Sequence, residues 1–207
     1  TGSCGSSSSR GPAFIATNEP WHKDVEIACL NSGDIQQASY IKPIERPLSS
    51  NGSCHAVQPF LVSATLGGSV RLRPAATLQC GMIRPIDRWM RDVVQPAAQR
   101  HFGQGIVELK VLASFSCRPM NNVWGAKLSE HGHANAIDVG AFRFEDGSEV
   151  SVLKGWGNGG AEARFLREVH AGACRYFGTV LGPLADRNHR DHFHFDRMLR
   201  RRSNYCK

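Results

Sequence analysis

The stretch His-Arg-Asp-His-Phe-His-Phe-Asp at residues 189–196 constrains this chain more than any other. From His192 to Asp196 polar and aromatic residues alternate strictly, the pattern of a β-strand with two unlike faces. Phe193 and Phe195 belong to a core, and because a slip of one residue would expose both, they set the register. His192, His194 and Asp196 then stand in a row on the opposite face. His189 precedes the strand and can fold over its start. A fold that contains this strand needs a sheet covered on one side and lined with imidazoles and carboxylate on the other.

The remaining elements supply such a cover. Residues 23–30 read as a short helix stopped by Asn31 and Gly33. Residues 41–74 hold short β-prone runs between Pro and Gly, so strands and turns are expected there. Ile86, Trp89, Met90, Val93 and Val94 fall at helical spacing, predicting a helix over residues 86–101 that is kinked by Pro96 and stopped by Gly103. Residues 106–117 alternate like a strand, and residues 136–153 read as a hairpin turning at Asp146-Gly147. A second helix is predicted over residues 160–177, with Phe165, Leu166, Val169, Ala173 and Phe177 on its apolar side. Helices and strands in this order indicate an α+β domain, a mainly antiparallel sheet with helices packed on it. Residues 1–12, rich in Ser and Gly, read as a flexible linker, and residues 13–207 as a single domain.

No apolar run is long enough to span a bilayer. The seven cysteines lie far apart and include no Cys-x-x-Cys pair, which argues against a thiolate zinc finger or a dithiol redox site. Their number and spacing point to disulfides and an oxidising compartment. Cys4 stands in the linker, where a lipid anchor is conceivable, leaving six for three bridges. Spacing does not determine the connectivity; the pairing expected is Cys54 with Cys80, Cys117 with Cys174, and Cys29 with Cys206. The net charge of +7 comes from scattered Lys and Arg, apart from Arg197, Arg200, Arg201 and Arg202. Without a basic stripe interleaved with aromatics, nucleic acid is not an expected partner.

A second histidine-bearing segment, Ser129-Glu-His131-Gly-His133-Ala-Asn-Ala-Ile-Asp138, precedes the hairpin. A lone histidine is more often a surface or core residue than a ligand. Two such segments, each bounded by aspartate and strand signals, point instead to a metal site. Two imidazoles and a carboxylate on a divalent ion leave a position open for water, which is the pattern of a catalytic rather than a structural zinc. Gly132, Ala134 and Ala136 would let backbone approach the ion.

Ser-x-His, an Asp seven residues beyond that His, and a distant His-x-His are similar to the signature of the D-Ala-D-Ala carboxypeptidase, lysostaphin-type and murein endopeptidase group of zinc peptidases. More closely, SCRPMNN, SEHGHANAIDVGAF, ACRYFGTVLGP and HRDHFHFD resemble the bacterial extensin-like C-terminal domain family, which belongs with that group. The resemblance implies zinc held by His131, Asp138 and His194, with His189 and His192 as base and transition-state stabiliser and Arg118 near the substrate carbonyl. Many carboxypeptidases of the group carry a glutamate three residues before the last zinc histidine. Here that place holds Asp191, expected to point to the other strand face, so the pattern is nearer the endopeptidase branch. Ala134 stands where many members have glycine. Ser129 and Asp196 are candidates for orienting the imidazoles, Trp124 and Trp156 for lining a groove, and His133 reads as a surface residue.

The function implied is hydrolysis of peptidoglycan stem peptides by an exported, periplasmic monomer, cutting D,D or L,D cross-links. The alternatives are a D-Ala-D-Ala carboxypeptidase, another class of zinc enzyme, or a zinc-stabilised wall-binding module.

Overall fold

A computed structural model of the chain describes residues 21–33, 38–46, 53–200 and 203–207, with residues 14, 35 and 48 singly. The expected linker, Cys4, Arg201 and Arg202 lie outside the described residues. The elements relevant to the site are α1 (Trp21–Asn31), β1 (Ile41–Pro43), β2 (Pro59–Thr65), β3 (Val70–Gln79), α2 (Cys80–Trp89), α3 (Gln95–Phe102), β4 (Ile106–Ala113) and β5 (Ala136–Phe144). They are followed by β6 (Glu149–Ser151), α4 (Val152–Gly155), α5 (Ala161–Ala173), β7 (Thr179–Leu181), β8 (Phe193–Asp196) and β9 (Tyr205–Cys206). The strands form one mixed sheet in the order β1-β2-β3-β4-β5-β8-β7-β9, with β6 paired to β5. All neighbours run antiparallel except β3 with β4 and β7 with β9. The fold is α+β, as the order of elements implied.

Phe193 and Phe195 are fully buried on one face of β8, where the helices cover them. The Trp89 ring of α2 meets Phe195 at 4.9 Å and Phe142 at 6.0 Å. Its indole N–H donates to the Val169 carbonyl of α5 at 2.9 Å, so the one polar atom of a fully buried tryptophan ties two helices together. A Cβ at Gly172 of α5 would collide with Val93, which explains how closely α5 approaches the turn between α2 and α3.

The long helix differs from expectation in two ways. It begins at Cys80, directly after β3, and it widens into a π turn just before Pro96. A π turn over Met90–Val94 precedes the proline, with the Gln95 N–H donating to the Met90 carbonyl. Proline has no N–H and crowds the carbonyl four residues back. The wider turn accommodates both facts without ending the helix. Gly103, at φ +69°, stops α3 as expected. The 136–151 hairpin also forms, with Gly147 at φ +85°.

The disulfide pairing does not follow expectation. The bridges are Cys29–Cys80, Cys54–Cys117 and Cys174–Cys206. The first pins the end of α1 to the start of α2. The second ties the segment before β2 to the loop after β4, and the third ties the end of α5 to β9. Each joins segments that only the tertiary fold brings together, a neighbourhood that spacing along the chain does not encode.

His170 of α5 gives the fold a pH dependence. Its ring lies 5.1 Å from Phe193 and 5.5 Å from Trp156, and its Nε2 has no hydrogen-bond partner among the described residues. Burial pushes its pKa down to about 4. The folded state therefore resists a proton that the unfolded chain accepts at about 6.5. Stability is full above that pH and falls as pH drops toward 4, by up to about 3 kcal/mol. His170→Phe should flatten this loss, read as the difference in urea midpoint between neutral and acidic buffer.

Candidate metal centre

The polar face of the sheet carries the site. Asp138 of β5 and His194 of β8 are direct cross-strand partners. His131 sits on the 3-10 turn Glu130–His133 just before β5. This turn is staked from both sides. The Ser129 hydroxyl accepts from the His131 N–H at its start, while the buried Glu130 carboxylate accepts from His22 Nε2 of α1 at 2.9 Å and from Asn135 Nδ2 at 2.6 Å. Ala134 closes the turn at φ +52°, a left-handed conformation that suits glycine and costs alanine about 1–2 kcal/mol. Gly132 faces Leu128 and the Cys54 sulfur rather than the site, so its small size serves packing and not access to an ion.

Three ligand atoms converge. Asp138 Oδ1 lies 2.9 Å from His194 Nδ1 and 3.2 Å from His131 Nε2, and the two imidazole nitrogens are 3.2 Å apart. The opposite nitrogen of each ring is already engaged. His131 Nδ1–H donates to the Ser114 carbonyl, and His194 Nε2–H donates to Asp196 Oδ2 at 3.1 Å. These outer bonds engage one nitrogen of each ring, so the other, turned toward Asp138, is the one that can offer a lone pair to a cation in place of a proton. Two nitrogen lone pairs and a carboxylate oxygen held this close fit a divalent cation, and His131, Asp138 and His194 are the one such group among the described residues.

The electrostatics agree. Burial alone would raise the Asp138 carboxyl, but the imidazoles of His131 and His194 hold it well below the usual range. Burial would lower His194, yet Asp138 and Asp196 outweigh it and push it up to about 10. The pocket thus concentrates negative charge that calls for a cation, whether a proton or a metal.

The three residues expected to act beside the metal line the same cleft, of about 700 Å³. His189 is buried at the end of the 3-10 turn Arg187–His189, its ring 5.8 Å from His194 and 5.3 Å from His192. His189 Nδ1–H donates to Asp186 at 3.0 Å, leaving Nε2 free. Burial, only partly offset by Asp186, lowers its pKa, so the ring is neutral at pH 7. His192 Nε2 is 3.6 Å from Asp138 Oδ1, and its Nδ1 lies 2.7 Å from Asp191. Arg118 lies on the loop after β4.

Some expectations need correction. Asp191 does not point away from His194. The strand starts only at Phe193, so alternation does not govern Asp191, which lines the cleft beside His192. His133 is buried, stacked on His22 at 4.2 Å, because α1 closes over the turn. Neither Trp124 nor Trp156 lines the cleft. Trp124 is 63% exposed, and Trp156 packs against His170 and Phe193 on the helix-covered side. Of the C-terminal arginines, Arg197 donates to the Tyr176 carbonyl and Arg200 to Gly178 and Thr179. Asp186 and the Ser114 carbonyl were not apparent from the sequence. The Asp-x-x-His spacing of Asp186 and His189 was the available signal for the first; a backbone carbonyl leaves none.

A family model described as extensin-like protein C-terminus matches residues 27–207. No curated protein and no solved structure matches the chain. No helix among the described residues is long and apolar enough to cross a membrane. The three disulfides point to an oxidising, exported compartment.

Proposed function

The chain belongs to the family of extensin-like protein C-termini, and from that premise we propose that it is a zinc-dependent endopeptidase of peptidoglycan stem peptides in the bacterial periplasm. The observation that carries this reading is the convergence of His131 Nε2, Asp138 Oδ1 and His194 Nδ1, with the opposite nitrogen of each ring engaged by Ser114 and Asp196. Zinc held by these three side chains would act as a Lewis acid on the attacking water and the scissile carbonyl.

The protein's own groups do the rest. His189, neutral and oriented by Asp186, accepts the proton of the attacking water and returns it to the leaving amine. His192 and Arg118 face the carbonyl oxygen and stabilise its developing charge. Asp196 holds His194 in place throughout.

The shape of the cleft favours cutting within a peptide over trimming its end. Its floor runs across adjacent strands, through Ala113 of β4, Asp138 of β5, His194 of β8, Leu181 of β7 and Tyr205 of β9. Four strand spacings of about 4.8 Å make this floor roughly 19 Å wide, room for five or six residues of extended peptide at about 3.3 Å each. The metal-binding trio lies inside this span, so substrate can extend to either side.

The deciding test offers purified protein defined cross-linked and uncross-linked muropeptides, with and without chelator, and reads the products by mass spectrometry. Chelator-sensitive loss of cross-linked dimers is expected. Release of terminal D-Ala alone would make the enzyme a carboxypeptidase, and stoichiometric zinc without any cutting would leave a wall-binding module. Asp186→Asn should lower kcat about 10- to 100-fold with zinc retained, as for other loss of an imidazole's orienting partner. Its acidic pH limb should move to lower pH, because the carboxylate that raises His189 is gone.

A further inference from the structure

The C-terminal strand β9 is only two residues long, yet it is fastened in three ways, by its ladder with β7, by Asn204 and by a disulfide. It pairs in parallel with β7, through Thr179 with Tyr205 and Val180 with Cys206. The Tyr205 N–H donates to Gly178 and the Lys207 N–H to Val180. Asn204 Nδ2 donates to the Cys174 carbonyl at 2.7 Å, and Cys206 is bridged to Cys174 at the end of α5. Such restraint on so short a strand at the sheet edge needs a reason.

The register supplies one. Asp196, Thr179 and Tyr205 lie side by side across β8, β7 and β9, one step along the strands from the row that contains Asp138 and His194. All face the cleft. Tyr205 is 46% exposed, and the Arg200 guanidinium, which lines the cleft with it, lies 5.2 Å from the ring centroid. That guanidinium is itself fixed by Gly178 O at 3.2 Å and Thr179 Oγ1 at 2.8 Å. An aromatic ring lining a cleft whose other lining residues include Met198 and Leu181 suits an aliphatic side chain.

We propose that the disulfide-tethered strand β9 is the far wall of the substrate cleft and that Tyr205 is a specificity-determining residue, taking an aliphatic side chain of the bound peptide about three residues from the cut bond. The distance follows from two strand spacings between β8 and β9, about 10 Å, at about 3.3 Å per extended residue. The Cys174–Cys206 bridge acts through Tyr205: it keeps the wall in place without touching substrate. The inference rests on the peptidase reading, and deepens it by naming where the peptide is recognised.

Tyr205→Ala, Tyr205→Phe and the double variant Cys174→Ser/Cys206→Ser test it, in the zinc-loaded full chain. Two substrates are compared: a cross-linked muropeptide that spans the cleft, and one truncated within two residues of the cut on the β9 side. Tyr205→Ala should raise KM for the long substrate about tenfold, a loss of one good contact, with kcat and zinc content unchanged. The truncated substrate should show no change. Tyr205→Phe should behave as wild type, and the double serine variant should reproduce the KM effect. Equal effects on both substrates, or none, would overturn the proposal. The same variants in a His189→Asn background, which retains the zinc ligands, give dissociation constants for both peptides without turnover. A length-dependent loss of binding there, in a protein that cuts no muropeptide, would keep the wall and remove the peptidase reading. A wild-type enzyme that cuts while Tyr205→Ala binds both peptides normally would do the reverse.

Discussion

His194→Ala is expected to reduce zinc from one per chain to an undetectable level and to bring cleavage of cross-linked muropeptides down to the chelated background. The size of the effect follows from the geometry. His194 Nδ1 lies 2.9 Å from Asp138 and 3.2 Å from His131 Nε2, so its loss removes one corner of a three-residue site and leaves two donors. It also leaves Asp138 and Asp196, both buried, without the imidazole that bonds them. Breaking a buried pair in this way costs about 3–5 kcal/mol, so the metal-free variant should melt earlier than metal-free wild type. Asp138→Asn separates the two effects. It keeps the volume and removes one negative charge, so it should abolish zinc binding with a smaller loss of stability. Zinc stoichiometry, calorimetric melting and product masses measured together are the check. Chelator-sensitive cutting that persists in His194→Ala would rule out this metal centre.

The second large effect concerns the Cys54–Cys117 bridge. It closes a loop across 63 residues, and the loop-entropy relation assigns such a cross-link about 4 kcal/mol. The bridge also sits behind the turn that carries His131, where a Cβ on Gly132 would come within 3.3 Å of the Cys54 sulfur. On the other side of that turn, the Ser116 N–H donates to the His131 carbonyl. Cys54→Ala/Cys117→Ala should therefore lose about 4 kcal/mol in urea unfolding and bind zinc more weakly, because His131 loses its backing. The Cys174→Ser/Cys206→Ser variant removes a bridge that closes a loop of only 32 residues and ties β9 rather than the His131 turn, and should leave zinc affinity unchanged. Equal zinc affinities in the two double variants would show that the 54–117 bridge contributes stability alone.

Much of the site was legible along the chain because its chemistry is local. The alternation of His192, Phe193, His194, Phe195 and Asp196 predicts which side chains share a face, and β8 follows it from Phe193 to Asp196, with Phe193 and Phe195 in the core. Asp196 was foreseen as an orienting group for the same reason: it lies two residues from His194 on one strand face, and bonds it at 3.1 Å. His133 and Asp191 were misplaced because each lies just outside a regular element, where period carries no information about direction. His133 is buried by α1, a helix more than a hundred residues earlier in the sequence.

What the sequence determined by itself is the set of side chains that can share one face: periodicity two in β8 and the Asp138-bearing strand, periodicity near 3.6 in the helices that cover Phe193 and Phe195. These are properties of the backbone repeat and need no partner. Only the tertiary structure decided which strand lies beside which. The order β4-β5-β8-β7-β9 places His131, from one end of β5, against His194, which follows it by 63 residues. It sets Cys206 beside Cys174 and brings Tyr205 to the lining of the cleft. Such pairings depend on burying apolar surface from many segments at once, a condition of the whole chain that no short stretch of it encodes.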